Sequence, residues 1–299
     1  MATIALTGAR GFVGINLLEY LKDLNKIQSI SVRYAPNQTF EFRENVVIHL
    51  SGKAHDLKKV TNPKVYYEAN YELTKQVFDA FLISECQIFI FISSVKALTD
   101  EVNGIVSEIQ LPNPKTHYGK SKLLAENYIL SKSLPPNKRI YILRPCMIHG
   151  PGNKGNLNSL YQLVSKGLPW PLGSFDNQRS FCNIENLCFV INEIIENINI
   201  PSGVFNLADN YPISTNRLIE LIAISQNKKA IIFKIPKILI VTLAKLGDYI
   251  KFPLNSERLQ KLTESYVVSN EKIVNAIGKP LPVSAEEGLI QTLKSFNKI

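Results

Sequence analysis

The spacing of apolar positions changes repeatedly along this chain, and each change marks an element. A short apolar run, Ile4 to Leu6, reads as a buried strand and breaks at Thr7-Gly8. Apolar residues resume at Phe12, Val13, Ile15, Leu17, Leu18 and Leu21, the spacing of a helix packed on a sheet. Ile27 to Val32 predicts a second strand ending at Arg33-Tyr34, and Asn45 to Gly52 a third that ends in small residues. Only Tyr34 to Glu44 separates these two. That connection is too short for a helix–strand–helix insert and leaves room for one short strand at most, around Gln38 to Phe42. Asn70 to Ser84 is amphipathic at helical spacing, with Leu73, Val77, Phe78 and Phe81 on its buried side. Gln87 to Ser94 is a near-continuous apolar run, the pattern of a strand buried on both faces. Tyr118 opens a helix through Tyr128, and Arg139 to Leu143 forms another strand before Arg144-Pro145.

From Gly150 the pattern changes. Gly150 to Gly155 reads as a loop, followed by a helix to about Lys166, and Leu168 to Gly173 is extended. Gly203 to Leu207 predicts a last strand, and Ser214 or Thr215 can cap a helix running to Ile224. The rest is mostly helical. Strands alternating with helices predict an α/β fold, a Rossmann-type doubly wound parallel sheet with a smaller, mostly helical C-terminal substrate lobe. The expected division is a core over 1–150, to which a strand and helix return from about 180–207, and an interleaved lobe over 151–299.

Composition narrows the class. The 299 residues are 45% hydrophobic and 20% charged, ordinary for a soluble globular protein. Met1-Ala-Thr3 runs straight into the first strand, so no signal peptide is expected. The most apolar late run, Ile238 to Leu243, is flanked by Lys237 and Lys245 and is too short to span a bilayer. Cys86, Cys146, Cys182 and Cys188 show no paired metal-ligand spacing, which predicts free thiols and no metal site. The net charge of +9 suits an anionic small molecule and equally a basic surface near membrane or nucleic acid, but no basic tract is dense enough to argue for nucleic acid. A cytoplasmic protein without an integral membrane segment is the expectation.

The candidate chemistry begins at the first turn. Gly8 permits a tight turn, Gly11 lets a pyrophosphate approach the backbone, and Gly14 lets the helix lie close to the strand. Phosphates would sit on free N–H groups at the helix N-terminus. An ordinary glycine-rich turn is the competing reading. Arg33 at the second strand end, where an acid would meet a ribose 2′-hydroxyl, favours a 2′-phosphate and hence NADP(H), with NAD(H) remaining open; it is otherwise a solvent-facing arginine. Leu50, Ser51 and Gly52 leave room for a cofactor across the sheet. Tyr118 and Lys122 lie four apart on one helix face, so the ammonium can favour the phenolate and make the pair a general acid/base. Ser94, ending a buried strand, can reach the same crevice.

With these residues in this order, the chain resembles an extended short-chain dehydrogenase/reductase of the NAD-dependent epimerase/dehydratase group. The resemblance rests on Thr7 to Gly14, Ser93-Ser94, Tyr118-Gly-Lys-Ser-Lys122, Arg144-Pro145, Gly150 to Asn156, Pro171-Leu-Gly173 and Gln178-Arg-Ser-Phe181. It implies Tyr118 as catalytic acid/base, Lys122 on the nicotinamide ribose, and Ser94 at the reacting oxygen. Phe12, Val13, Asn70 and Pro145 are implied beside the cofactor, Asn156 and Arg179 on the nucleotide-sugar, and Arg258 as a second diphosphate contact. A homodimer is implied as well.

Two departures matter. Sugar dehydratases of this group carry Asp-Glu after the serine or threonine that matches Ser94, whereas Val95 and Lys96 stand here, which argues against dehydration. The short Tyr34–Glu44 connection removes a segment that usually flanks the adenine. Within the group the chain most resembles enzymes of bacterial surface-polysaccharide synthesis. Arg33 tilts the expectation towards NADPH-dependent reduction of a UDP-linked 4-keto-6-deoxy sugar, with UDP-sugar 4-epimerisation on tightly held NAD as the alternative. A non-catalytic NADP(H)-sensing protein and a steroid- or flavonoid-type reductase are the further readings.

Overall fold

The computed structural model describes residues 1–53, 62–102, 104–153, 156–250 and 254–296. Along the chain run β1 (Thr3–Thr7), α1 (Phe12–Leu21), β2 (Lys26–Ile30) and β3 (Val46–His49). There follow α2 (Lys64–Tyr67), a π-helical turn (Glu68–Glu72), α3 (Leu73–Ile83), β4 (Ile88–Ile92), β5 (Ile105–Val106) and α4 (His117–Leu130). β6 (Arg139–Pro145), β7 (Met147–His149), α5 (Asn156–Ser165), β8 (Phe181–Asn183), α6 (Ile184–Glu196) and β9 (Gly203–Leu207) come next. The chain closes with α7 (Thr215–Ser225), α8 (Lys237–Tyr249), α9 (Ser256–Thr263), β10 (Val267–Val268), α10 (Glu271–Ile277) and α11 (Ala285–Ser295). Ser214 caps α7 by accepting from the Arg217 N–H, and Ser284 with Glu287 forms a capping box on α11.

The chain divides into two units. The first comprises 1–146, 184–208 and 268–282, and the second 147–183, 209–267 and 283–299. In the first, six strands form a parallel sheet in the order β2-β1-β3-β4-β6-β9. The apolar run predicted at 87–94 is its centre, and all five residues of β4 are buried. The chain reaches β2 on one side of β1 and β3 on the other, so the order reverses at β1. In open α/β sheets that reversal opens a crevice beyond the strands' carboxyl ends.

Two local differences from the sequence expectation have physical causes. No strand forms over 38–42. Instead Phe42 is buried and Val32, Tyr34 and Phe40 are partly buried against Val77, Phe78 and Phe81. An irregular connection thus covers sheet face with side chains where a crossover helix would do so, and β2 is left as a half-exposed edge. Asn70 does not begin a helix. The helix starts at Lys64, and Asn70 sits in the π turn, fully buried. The turn's wider ring rotates Asn70 inward, and its side chain finds partners there.

The second unit has its own core, in which Leu157, Trp170, Phe181, Leu221, Leu289 and Leu293 are buried together. Leu168 to Gly173 is extended as its prolines require, with Trp170 bridging Ile232 and Leu172 bridging Lys234. β7 and β8 form a two-stranded parallel sheet. Among the described residues no helix is long and apolar enough to cross a membrane, and no cluster of three or more His, Cys, Asp or Glu could hold a metal.

Candidate active site

The glycine turn lies at the carboxyl end of β1. Gly8 has φ +72°, and a Cβ there would stand 2.8 Å from the Ser51 nitrogen and 2.9 Å from the Leu50 carbonyl carbon. Gly14 is tighter still, since its Cβ would come within 2.4 Å of the Gly8 oxygen. The turn therefore packs on the end of β3 at one point and under α1 at the other. Gly11 is different. It is exposed, and its Cβ would meet only the Gly8 oxygen, at 3.3 Å. It is the N-cap of α1, and no side chain caps the helix. The first-turn N–H groups beside Phe12 and Val13 thus lack a side-chain acceptor, and the backbone in front of them carries no side chain. A dinucleotide's diphosphate fits this cradle. Arg33 lies three residues beyond the end of β2 and is exposed. Pro145 ends β6, buried opposite Leu207.

Beneath the cradle runs a hydrogen-bond relay that no sequence motif signals. The Ser51 N–H donates to Thr7 Oγ1 (3.2 Å), which lies 2.8 Å from His49 Nδ1. His49 Nε2 is 3.1 Å from Thr74 Oγ1, which donates to the Asn70 carbonyl at 2.7 Å. Since Thr74 gives its proton to Asn70, the network assigns the hydrogen to Nε2 of a neutral His49, with Thr7 donating to Nδ1. Burial pushes the imidazole down to about 3, with the Lys122 charge adding to the effect. The one visible trace in the sequence was a histidine interrupting an apolar strand.

Asn70 continues the network. Its Oδ1 accepts from the Lys53 N–H (2.8 Å), and its Nδ2 donates to the Lys53 carbonyl (3.1 Å) and to Ser121 Oγ (3.0 Å). Ser121 donates in turn to the Tyr118 carbonyl, so Asn70 ties the end of β3 to the first turn of α4. Gly52 is needed at this point, because a Cβ would stand 2.6 Å from Asn70 Oδ1 and 3.4 Å from Lys122 Nζ. Positions 52, 70 and 122 therefore converge.

Thr116 caps α4, and Gly119 lets the helix approach the Lys96 carbonyl, which a Cβ there would meet at 2.3 Å. This close approach sets Tyr118 against the strand-end serine. Tyr118 is hydrogen-bonded to Ser94, which also accepts from the Lys96 N–H at 3.2 Å. Lys122 is buried, donates to the Ile92 carbonyl at 2.9 Å and lies over the Phe91 ring at 4.7 Å. The expected lowering of the phenol by Lys122 is not what the site shows. Burial pushes the Tyr118 phenol up, the Ser94 bond draws it down, and Tyr66 raises it again. Lys122 itself is pushed down to about 8 by burial, against the opposing pull of Glu126. Its ammonium donates to a backbone carbonyl, which favours the charge but does not offset the burial.

Glu126 lies one turn beyond Lys122 on the same side of α4 and anchors the helix there. It accepts from Ser93 and pairs with Arg144, whose Nε lies 3.0 Å away, and all three are buried. Val95 is buried, and Lys96 donates to the Asp100 carbonyl at 3.2 Å. Neither can serve as a dehydratase's carboxylate.

The substrate candidates lie in the second unit. The Arg179 guanidinium donates to the Glu264 and Lys261 carbonyls and pairs with the Glu264 carboxylate at 3.2 Å. It thereby holds the C-terminal end of α9, which also carries the exposed Arg258. Asn156 opens α5, and its side chain lies outside the described residues.

The model of the NAD dependent epimerase/dehydratase family matches residues 4–208. The chain is 30% identical over 323 aligned positions to the UDP-glucose 4-epimerase of Vibrio cholerae, covering 98% of this chain and 95% of that one. It is 27% identical to the N-acetyl-alpha-D-glucosaminyl-diphospho-ditrans,octacis-undecaprenol 4-epimerase of Escherichia coli O157:H7, over 97% and 94% of the two chains. Among solved structures, UDP-glucuronic acid 4-epimerase from Bacillus cereus in complex with NAD superposes with a TM-score of 0.74 at 19% identity, covering 99% of each chain. RMD from Pseudomonas aeruginosa complexed with NADPH gives 0.73 at 19% identity, covering 100% of each. At that identity the superpositions speak for the fold.

Proposed function

The chain belongs to the NAD dependent epimerase/dehydratase family, and within it we propose a 4-epimerase acting on a sugar carried by a diphosphate, UDP-hexose or UDP-N-acetylhexosamine first. The observation that supports proton and hydride exchange at a hydroxyl-bearing carbon is the Ser94–Tyr118 hydrogen bond beside buried Lys122, on the sheet whose β1 ends in the glycine cradle, and the choice of epimerisation rests on the relatives. The Vibrio cholerae and Escherichia coli relatives, which align over nearly the whole chain, are named as 4-epimerases, and both names specify a diphosphate-linked sugar with different tails. Val95 and Lys96 support the exclusion of dehydration.

In this mechanism Gly8, Gly11 and Gly14 with the α1 N-terminus would hold the diphosphate of NAD. Leu50, Ser51 and Gly52 would line its path and Lys122 would hold the nicotinamide ribose, while Asn70, spent on Lys53 and Ser121, would position the backbone behind them. Bound there, the nicotinamide supplies reversible hydride exchange at C4. The Tyr118 phenol oxygen takes the proton from the 4-hydroxyl and later returns it. Ser94 orients that hydroxyl and holds the phenol below the value burial alone would impose. The Lys122 charge would favour the phenolate once bound ribose and substrate exclude solvent from the crevice. Arg258 is assigned to the substrate diphosphate, Arg179, whose Nε and Nη2 hold the end of α9, to positioning that helix, and Asn156 to the sugar nucleotide.

A second reading, NADPH-dependent reduction of a 4-keto-6-deoxy sugar, is favoured by Arg33, which is exposed beyond the β2 end. One experiment separates the two. The purified protein is denatured and any released nucleotide identified, then UDP-glucose, UDP-N-acetylglucosamine and the undecaprenyl-diphosphate sugar are offered without added cofactor. Released NAD with C4 inversion supports epimerase. An empty protein that turns over only a 4-keto sugar with NADPH replaces it by the reductase.

A further inference from the structure

The second unit carries a surface that this chemistry does not use. α8 packs on the unit through a narrow face, with Ile240, Ala244 and Gly247 as its buried residues. At 100° per residue these three fall within an arc of about 60°. Ile238, Leu239, Leu243, Leu246 and Tyr249 occupy the outward side, and all are exposed, from 48% for Leu243 to 90% for Tyr249. The segment leading into α8 repeats the pattern at strand spacing: Ile231 and Phe233 are exposed on either side of the half-buried Ile232. A surface helix of a soluble protein ordinarily turns polar residues outward, and a contiguous apolar patch marks an interaction site.

Charge identifies the partner. From Gln226 to Ile250 the chain carries Lys228, Lys229, Lys234, Lys237 and Lys245 against a single acid, Asp248. That carboxylate accepts from the Ser256 N–H and hydroxyl, which hold it below the usual carboxylate range. Around the helix, Lys237 and Lys245 lie to one side of the apolar arc. An apolar face bordered by ammonium groups is the composition of an interfacial helix, with side chains at the acyl boundary and lysine heads at the phosphates. α8 has 13 residues, long enough to lie in the interface but not to span it. A second copy is a poorer occupant, because a two-fold contact would bring the same lysines together from both sides.

We propose that α8 and the 231–233 segment dock this protein on an anionic membrane surface, with Ile238, Leu239, Leu246 and Tyr249 in the headgroup–acyl boundary. The proposal stands whichever reaction the first unit performs.

Co-sedimentation of the full chain with phosphatidylglycerol vesicles and with phosphatidylcholine vesicles tests it. The expected result is partition onto phosphatidylglycerol that weakens with salt and is slight on phosphatidylcholine. Leu239→Glu/Leu246→Glu and, separately, Lys237→Glu/Lys245→Glu should each reduce partition at least about tenfold. Thermal unfolding and turnover should be unchanged, and the lysine variant alone decides if the leucine variant misfolds. No partition by the wild type, or equal partition by wild type and both variants, overturns the proposal. So does a wild-type oligomer, seen by light scattering, that the leucine variant dissociates, because a second copy then covers the face.

Discussion

Lys122 is placed where its charge is costly, and this cost has a measurable pH signature. Its ammonium is buried, with a backbone carbonyl at 2.9 Å and an aromatic face as neighbours, and burial pushes it from the ordinary 10.5 down to about 8. Between those two values the unfolded chain binds more protons than the folded one, so this group makes stability rise with pH across that window. At 1.36 kcal/mol per unit, the burial cost is ~3 kcal/mol at pH 7 and falls to ~2 kcal/mol at pH 9, where the folded lysine is mostly neutral. Lys122→Met keeps the length and removes the titration. Urea unfolding of both proteins at the two pH values gives the difference in their stabilities. That difference should shift by ~1 kcal/mol towards the wild type at the higher pH. Working with the difference cancels the buried Cys188 thiol, which is pushed up to about 12 and erodes both proteins above pH 9. A gap that stays constant from pH 7 to 9 would refute the reasoning, because Lys122 would then titrate alike in both states.

Tyr118→Phe should lower turnover roughly a hundred- to ten-thousandfold, the range for losing a general acid/base, while circular dichroism and NADH binding stay near wild type. Gly14→Ala forces a Cβ against the Gly8 oxygen and should cost about 1–3 kcal/mol in urea unfolding. Gly11→Ala brings a Cβ to a tight 3.3 Å from the Gly8 oxygen on an ordinary helical-entry backbone, so it should cost less than Gly14→Ala, about 1 kcal/mol, while NADH binding by calorimetry weakens. Arg144→Leu strands the buried Glu126 carboxylate and should cost about 3–5 kcal/mol, most of which Glu126→Leu in the same chain restores.

Much of the first unit was legible because its signals are local. The near-continuous apolar run before Ser94 has the pattern of a strand covered on both faces, and it is the centre of the sheet. The glycines at 8 and 14 answer steric demands that a strand–turn–helix makes on nearby backbone, so their spacing carries the geometry. The connection after β2 was legible in length but not in form. Eleven residues excluded an extra helix, yet only packing against Val77, Phe78 and Phe81 made an irregular segment with a buried Phe42 better than a short edge strand.

What the sequence determined by itself is the α/β class, the succession of core strands and helices along the chain, the glycine turn after β1 and the placing of Tyr118 and Lys122 on one helix face. These follow from period, from the absence of a Cβ and from functional-group chemistry, all written within a few residues of where they act. What only the tertiary structure decided is what each group experiences. His49 became a neutral link between Thr7 and Thr74, Asn70 the tie between β3 and α4, and Lys122 a lysine titrating near 8. The run from Ile238, read in sequence only as too short to span a membrane, became an outward apolar face edged by lysines. Desolvation, hydrogen-bond satisfaction and exposure depend on which distant segments pack against a side chain, and that partner is chosen by the fold.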